Sequence, residues 1–200
     1  PFNRPRFEPQ KGRVVGGYGI LQPRITPSLP TGPRSTTYQR IISGPGGVDP
    51  YAAAVSDVYQ DLFEGGSYTG KGIYDVDVFE AALEGKVPES ALLSHDLFEG
   101  VFARAGLLTD VDLFEEFPTN YEVAARRNHR WARGDWQLLP WILGRARDAV
   151  GRKEKAQIPA EDRWKMVDNL RRSLVAPSSL LALVAAWTLP DVPALRWAGL

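Results

Sequence analysis

Residues 91–105 read Ala-Leu-Leu-Ser-His-Asp-Leu-Phe-Glu-Gly-Val-Phe-Ala-Arg-Ala, an apolar run followed at once by a helical pattern. Leu97, Val101 and Ala105 fall on one stripe, with Phe98 and Phe102 beside it, which predicts a helix over residues 96–105. The apolar run predicts a short strand over residues 91–94. A strand that leads directly into a helix is compatible with an α/β fold.

Asp96 lies where this predicted strand gives way to the helix. The pattern Asp96-x-x-Glu99 is close to a capping box, with Asp96 as N-cap and Glu99 at position N3. Position alone favours this structural role, because most helix starts need a cap. A catalytic role is compatible with it, since strand-to-helix junctions of α/β folds face the ligand crevice.

The other predicted elements are set off by Pro and Gly. They are a strand over residues 18–22 followed by a long irregular loop, a helix over 51–63 that begins at Asp49-Pro50, a Gly-rich turn with strand character over 67–74, a short helix over 78–83 closed by Gly85, and a long helix over 121–143. Gly134 and Pro140 interrupt the last of these, which predicts a kink or a break there.

The charges are balanced in sum and segregated along the chain. Of the 200 residues, 24 are basic and 24 acidic, but the net charge is +6 over residues 1–47, −13 over 48–125 and +7 over 126–200. This distribution argues against a nucleic-acid binder with one continuous basic face. The absence of cysteine excludes a disulfide framework, a thiolate metal site and a cysteine nucleophile.

The last part of the chain differs from the rest. Residues 144–172 hold nine basic and five acidic groups, and Trp164, Val167, Leu170 and Leu174 predict one apolar face of a helix. That pattern is typical of a helix in a membrane interface, and also of an ordinary surface helix. Residues 174–190 carry no charge; this predicts either a buried core helix or, after the basic cluster, a membrane segment entering from the cytoplasm, which we favour.

An Arg- and Trp-rich block over residues 126–136 is the second candidate for chemistry. Arg126, Arg130 and Arg133 share a helical face, which suits recognition of phosphate oxygens, although a solvated basic face would look the same. Trp131 and Trp136 offer flat rings for a sugar. Together these functions suit a sugar-nucleotide site.

Other common sites are missing from the sequence. His95 and His129 are the only histidines and lie far apart, and neither a G-x-S-x-G motif nor a true phosphate loop is present. Residues 65–72, Gly-Gly-Ser-Tyr-Thr-Gly-Lys-Gly, are only superficially similar to a phosphate loop. Asp75 and Asp77 have D-x-D spacing, but they follow this Gly-rich turn.

The order of motifs resembles that of processive, membrane-bound family 2-type glycosyltransferases. Residues 94–106 resemble their Thr-Glu-Asp helix, and residues 116–119 leading into Arg127-Asn-His-Arg-Trp131 resemble their Q-x-x-R-W motif with its preceding proline. The sequence is most similar to the glycosyltransferase domain of cyclic β-1,2-glucan synthases in four segments: residues 17–24, 49–63, 70–77 and 130–141. Two positions depart from the broader superfamily, His95 for Glu and Arg127 for Gln.

This resemblance implies an enzyme and assigns its residues. The implied fold is that of a glycosyltransferase A-type domain, which is α/β. The implied reaction transfers glucose from UDP-glucose to the 2-hydroxyl of a growing β-1,2-glucan with inversion. The implied location of the domain is the cytoplasmic side of the bacterial inner membrane. Mg²⁺ or Mn²⁺ is implied, with ligands expected upstream of Pro1. The assigned residues are Asp96 as general base, Arg130 with Arg127 and Arg133 at the donor diphosphate, and Trp131 with Trp136 and Asp77 at the acceptor sugar.

The expected organisation is that of a piece of a longer chain. Residues 1–143 would form the C-terminal half of the glycosyltransferase domain, 144–173 a basic interfacial or linker helix region, and 174–200 the start of a transmembrane region. The isolated piece is expected to be inactive, since half of the donor site lies outside it. UDP-glucose, a glucan acceptor, the lipid bilayer and the rest of the parent chain are the implied partners. A hydrolase or phosphorylase with paired carboxylates and a non-catalytic, membrane-attached carbohydrate-binding module are the alternatives.

Overall fold

A computed structural model describes residues 3–44, 57–92, 95–153 and 158–188. The described chain is a mixed α/β structure, as predicted. In order its elements are β1 (Arg6–Glu8), β2 (Arg13–Gly16), β3 (Ile20–Ser28), α1 (Thr37–Ile42), α2 (Val58–Phe63), β4 (Ile73–Tyr74), α3 (Val76–Leu83), α4 (Asp96–Ala103), β5 (Ala105–Glu116), α5 (Tyr121–Gln137), α6 (Leu139–Ile142) and α7 (Ala160–Thr188).

The central sheet has three strands in the order β4-β3-β5, with β3 parallel to β5 and antiparallel to β4. Strand β3 is longer than the predicted residues 18–22, and its outer half pairs with β5 alone because β4 pairs only with Ile20 and Leu21. Its two prolines, Pro23 and Pro27, are tolerated in this outer half, where one edge needs no amide donors. The Arg24 guanidinium donates to both carboxylate oxygens of Asp112 at 2.6 and 2.8 Å, which joins the outer half of β3 to β5.

Helix α4 forms the centre of the core. Its residues Phe98 and Phe102 are at most 2% exposed, and the Phe98 ring lies 5.1 Å from the ring of Trp141 in an edge-on contact. The prediction of a helix through residue 105 is wrong at its end. Arg104 takes a left-handed φ of +57°, stops the helix, and β5 begins at the next residue. Its guanidinium donates to the carbonyls of Val15 and Glu64, which offsets the strain of that backbone.

Other predicted elements are partly confirmed. Helix α3 contains the predicted residues 78–83 and begins two residues earlier, at Val76. The predicted helix over 51–63 is interrupted, because Asp57 is extended and caps α2, which begins at Val58. The predicted start at Asp49-Pro50 lies outside the described residues. The predicted strand over residues 91–94 is not formed at Ala91 and Leu92, and its other two residues lie outside the described part. The predicted break near Pro140 is confirmed, because α5 ends at Gln137 and α6 follows; Gly134 lies inside α5 without interrupting it.

The last described helix begins later than predicted. Residues 144–153 are not helical, and α7 starts at Ala160 and runs through Pro177 to Thr188. The four residues predicted to form one apolar face all lie in α7, and Trp164 among them is 61% exposed. The buried residues in the first half of α7 are instead Asp162, Lys165 and Met166. A charged pair replaces apolar contact here, since the Lys165 ammonium lies 3.0 Å from the Asp162 carboxylate.

Within residues 3–44, 57–92, 95–153 and 158–188, no helix combines the length and the apolar character needed to cross a membrane. Residues 189–200 of the predicted transmembrane region lie outside these ranges.

Candidate active site

The start of α4 differs from the capping box expected there. His95 is the N-cap, and its Nδ1 accepts a hydrogen bond from the Phe98 backbone N–H at 3.4 Å. Asp96 is therefore the first helical residue, and the interpretation of Asp96 as N-cap is wrong. The Asp96 carboxylate lies against the backbone of Gly70. Gly70 belongs to residues 67–72, here called the Gly-rich loop.

A cavity of about 80 Å³ opens at this end of α4. Asp96 lines it from α4, and Arg130 and Trp131 line it from α5, so three predicted site residues meet although Asp96 and Arg130 are 34 positions apart. The remaining walls come from the Gly-rich loop, from α7 and from Tyr59 of α2. The loop contributes Ser67, Tyr68 and Thr69, and α7 contributes Lys165, Asp168, Asn169 and Arg172.

Buried ionic contacts hold α7 against this cavity. The Lys165 side chain is 4% exposed, and its ammonium donates to the Gly65 carbonyl at 2.7 Å as well as pairing with Asp162. Further along the helix, Arg172 lies 3.7 Å from the carboxylate of Asp135, a buried residue of α5. These contacts hold α7 in place as one wall of the cavity.

The other predicted site residues do not line the cavity. Arg127 lies 3.4 Å from Glu115, with its guanidinium 5.4 Å from the centre of the Trp131 ring. Trp136 is 47% exposed, and its indole N–H donates to the Ser173 hydroxyl at 3.1 Å. Arg133 and Asp77 are exposed, Asp77 in the first turn of α3. Of the arginine face predicted on α5, Arg130 is the member that reaches the cavity.

His95 joins α4 to α5. Burial, with a smaller contribution from the nearby Arg172 guanidinium, lowers the pKa of its imidazole to about 4. A hydrogen bond with the Gly134 backbone favours the charged form and partly opposes this. The ring is therefore neutral near pH 7. Because Nδ1 accepts from Phe98, the proton is assigned to Nε2. This neutral ring fixes the first turn of α4 beside the middle of α5.

Two further acidic groups surround Asp96. Burial, together with the negative charge of Asp96, raises the pKa of Glu99 to about 7. Burial raises the pKa of Tyr68 to about 12, with smaller contributions from Glu99 and Asp96. Both groups thus favour their neutral forms, which limits the negative charge that accumulates next to Asp96.

The sequence analysis missed several cavity residues. Tyr68 and Thr69 lie in a stretch that was dismissed as a phosphate loop, and Asp168, Asn169 and Arg172 lie in the segment assigned to a membrane interface. The signal for the latter group is their spacing: Lys165, Asp168, Asn169 and Arg172 follow the i, i+3, i+4, i+7 pattern of one helical face. In the part of the chain that the structure describes, no group of three or more His, Asp or Glu side chains could hold a metal ion.

Comparison with known proteins gives one informative match. No family model matches the chain. Cyclic beta-(1,2)-glucan synthase NdvB of Rhizobium meliloti (strain 1021) is 52% identical over 198 residues. The match covers 98% of this chain and 7% of the relative's length. The resemblance to this family expected from the sequence is confirmed, and the chain is homologous to a short segment of a cyclic beta-(1,2)-glucan synthase.

Proposed function

We propose that the chain is part of an inverting glucosyltransferase that transfers glucose from UDP-glucose to the 2-hydroxyl of a growing β-1,2-glucan. Its sheet and helices would form the C-terminal half of a glycosyltransferase A-type domain. The observation that carries the proposal is the convergence of Asp96, Arg130 and Trp131 on one cavity. The name of the 52% identical relative supports the glucan product.

Each of the three side chains has a role that suits its chemistry. The Asp96 carboxylate takes the proton of the acceptor hydroxyl while that oxygen bonds to the anomeric carbon. The bond from the anomeric carbon to the diphosphate oxygen breaks in the same step, and the Arg130 guanidinium stabilises the charge that develops on the leaving group. The Trp131 ring offers a flat apolar face to the acceptor sugar.

The geometry around the cavity supports this division of roles. His95 fixes the first turn of α4 against Gly134, so the base on α4 keeps its position relative to Arg130 and Trp131 on α5. The Lys165 contacts hold α7 over the cavity. Removal of water by such walls strengthens the electrostatic interactions inside.

A divalent cation and a membrane complete the proposal. Mg²⁺ or Mn²⁺ would neutralise the diphosphate, but the described residues do not provide a ligand set, so no step above depends on it. We place the domain on the cytoplasmic side of the bacterial inner membrane, where the exposed basic residues of segment 144–172, such as Arg145, Arg147 and Arg152, would face anionic lipid. Lys165 and Arg172 of the same segment face the cavity instead.

The test is glucan synthesis by the full-length protein in membranes, measured as transfer of labelled glucose from UDP-glucose. Asp96→Asn is expected to lower the rate at least about a hundredfold, because general-base catalysis typically contributes that much. Asp110→Asn, at an exposed carboxylate of β5, is the matched control and is expected to retain the rate. Full synthesis by Asp96→Asn would show that Asp96 is not the base.

A further inference from the structure

The Gly-rich loop, residues 67–72, touches the carboxylate of Asp96 through Gly70. Gly70 has a left-handed φ of +86°, and a Cβ built there would lie 2.6 Å from Oδ2, 2.7 Å from Cγ and 2.9 Å from Oδ1 of Asp96. At such distances a Cβ would displace the Asp96 carboxylate, so glycine suits the position both for its φ and for its space. The loop backbone therefore forms a wall directly behind the carboxylate.

The loop is held to β3 by Gln22, whose side chain is buried in the sheet at 2% exposure. Its amide Nε2 donates to the Ser67 carbonyl at 3.1 Å, and its Oε1 accepts from the Thr69 backbone N–H at 2.6 Å and from the Thr69 hydroxyl at 3.1 Å. One buried side chain thus satisfies donors and acceptors of the loop on both sides of Tyr68. A buried amide with this many partners fixes loop geometry strongly.

The other end of the loop is joined to α5. The Lys71 ammonium lies 2.9 Å from one oxygen of Glu115, whose other oxygen lies 3.4 Å from the Arg127 guanidinium. Arg127 in turn stacks 5.4 Å from the centre of the Trp131 ring. The loop therefore contacts the proposed base on one side and is linked to the proposed acceptor platform on the other.

We propose that the Gly-rich loop positions the Asp96 carboxylate through the backbone of Gly70, and that Gln22 is the buried residue that keeps the loop in place. Gly70 and Gln22 are positioning residues, since they act through Asp96. The proposal rests on the proposed function, because it assigns a task to the loop only where Asp96 accepts a proton.

Gly70→Ala in the full-length protein is the direct test, with Gly151→Ala as its matched control. Gly151 has a similar φ of +80°, but a Cβ there meets nothing within 4 Å, so the control carries the backbone strain without the clash. Displacement of a reacting group by about an ångström costs up to about a hundredfold in rate. We therefore expect kcat to fall about ten- to a hundredfold in Gly70→Ala, with KM for UDP-glucose within about threefold, and both values retained in Gly151→Ala.

The pH profile of kcat separates positioning from a general structural defect. The added methyl group desolvates the carboxylate, which raises the pKa of a base and moves the acid limb of the profile to higher pH. A kcat within about twofold of the starting protein, a loss equal to that of Gly151→Ala, or a loss with an unmoved acid limb would each overturn the role of Gly70.

Gln22→Met is the second variant, and it decides the matter if Gly70→Ala does not fold. It keeps the length of the side chain and removes all three hydrogen bonds to the loop, so kcat should fall at least about threefold while KM for UDP-glucose is retained. Full kcat would overturn the anchoring role. Asp96→Asn is measured in parallel: if that variant keeps full synthesis, the proposed function fails first, whereas an inactive Asp96→Asn beside a fully active Gly70→Ala refutes only the loop.

Discussion

Replacing His95 by Gln should reduce the fall in the free energy of unfolding that occurs as the pH is lowered below neutrality. In the folded chain the imidazole keeps its neutral form down to a pKa of about 4, whereas in the unfolded chain it takes up a proton near 6.5. Between these values the unfolded chain binds more protons, so the free energy of unfolding falls as the pH falls. At about 1.4 kcal/mol for each pKa unit, the contribution lost is about 3 kcal/mol, present in full above pH 6.5 and lost towards pH 4.

Gln is chosen because it keeps the two contacts of His95. Its side-chain oxygen can accept from the Phe98 N–H, and its amide can donate to the Gly134 carbonyl, but it does not titrate. Glu99 changes stability with pH in the opposite sense. Because Glu99 is present in both the starting protein and the variant, the difference between them isolates His95.

Urea unfolding followed by tryptophan fluorescence at several pH values between 7 and 4.5 measures this difference. Trp141 packs against α4 and should report the transition. His129→Gln, at the exposed histidine of α5, is the control. Parallel stability curves for the starting protein and His95→Gln, or an equal flattening in both variants, would refute the reasoning.

Three further predictions concern charged groups of the same region. Lys165→Met should lower the free energy of unfolding by about 2 kcal/mol, because it removes the buried hydrogen bonds of the ammonium to Asp162 and Gly65 while Arg13, 3.5 Å from Asp162, still compensates that carboxylate; calorimetry that shows no loss would contradict this. Because the pKa of Glu99 is raised, its contribution to stability is present below pH 4.5 and lost as the pH rises through 7. Glu99→Gln should therefore gain stability relative to the starting protein as the pH rises from 5 to 8. A constant difference in the free energy of urea unfolding across that range would contradict this. Arg130→Ala should weaken UDP binding to the full-length protein about tenfold or more in a titration, and unchanged affinity and turnover would remove Arg130 from the diphosphate site.

Periodicity alone predicted α4 well because five apolar side chains fall on one side of the predicted helix. The four that lie within α4 are all buried: Leu97, Phe98, Val101 and Phe102. Its end was mispredicted because Arg104 adopts a left-handed φ, a conformation that sequence patterns assign to Gly. Its first residue was predicted correctly, but the N-cap was not, because a histidine acts as the cap, which requires the neutral imidazole that burial produces. These deviations depend on tertiary contacts that a local pattern does not contain.

The site was predicted in part for a similar reason. Asp96, Arg130 and Trp131 were identified from motif resemblance, and the fold brings them together. The wall contributed by α7 was missed because the buried charges Asp162 and Lys165 look, in sequence, like a solvated basic helix. The carbonyls of Gly65 and Gly66, 100 and 99 positions away in the chain, together with Asp162 make burial of that ammonium favourable.

The junction between α4 and β5 has a mechanical consequence. A single residue, Arg104, separates the helix from the strand, and its side chain is tied to two other segments. Such a connection contains no hinge, so α4 and the sheet move as one rigid body. In the proposed enzyme the Asp96 carboxylate that α4 carries would therefore be a fixed reference point, and any change of shape that admits the donor or releases the product would fall to the other elements that line the cavity.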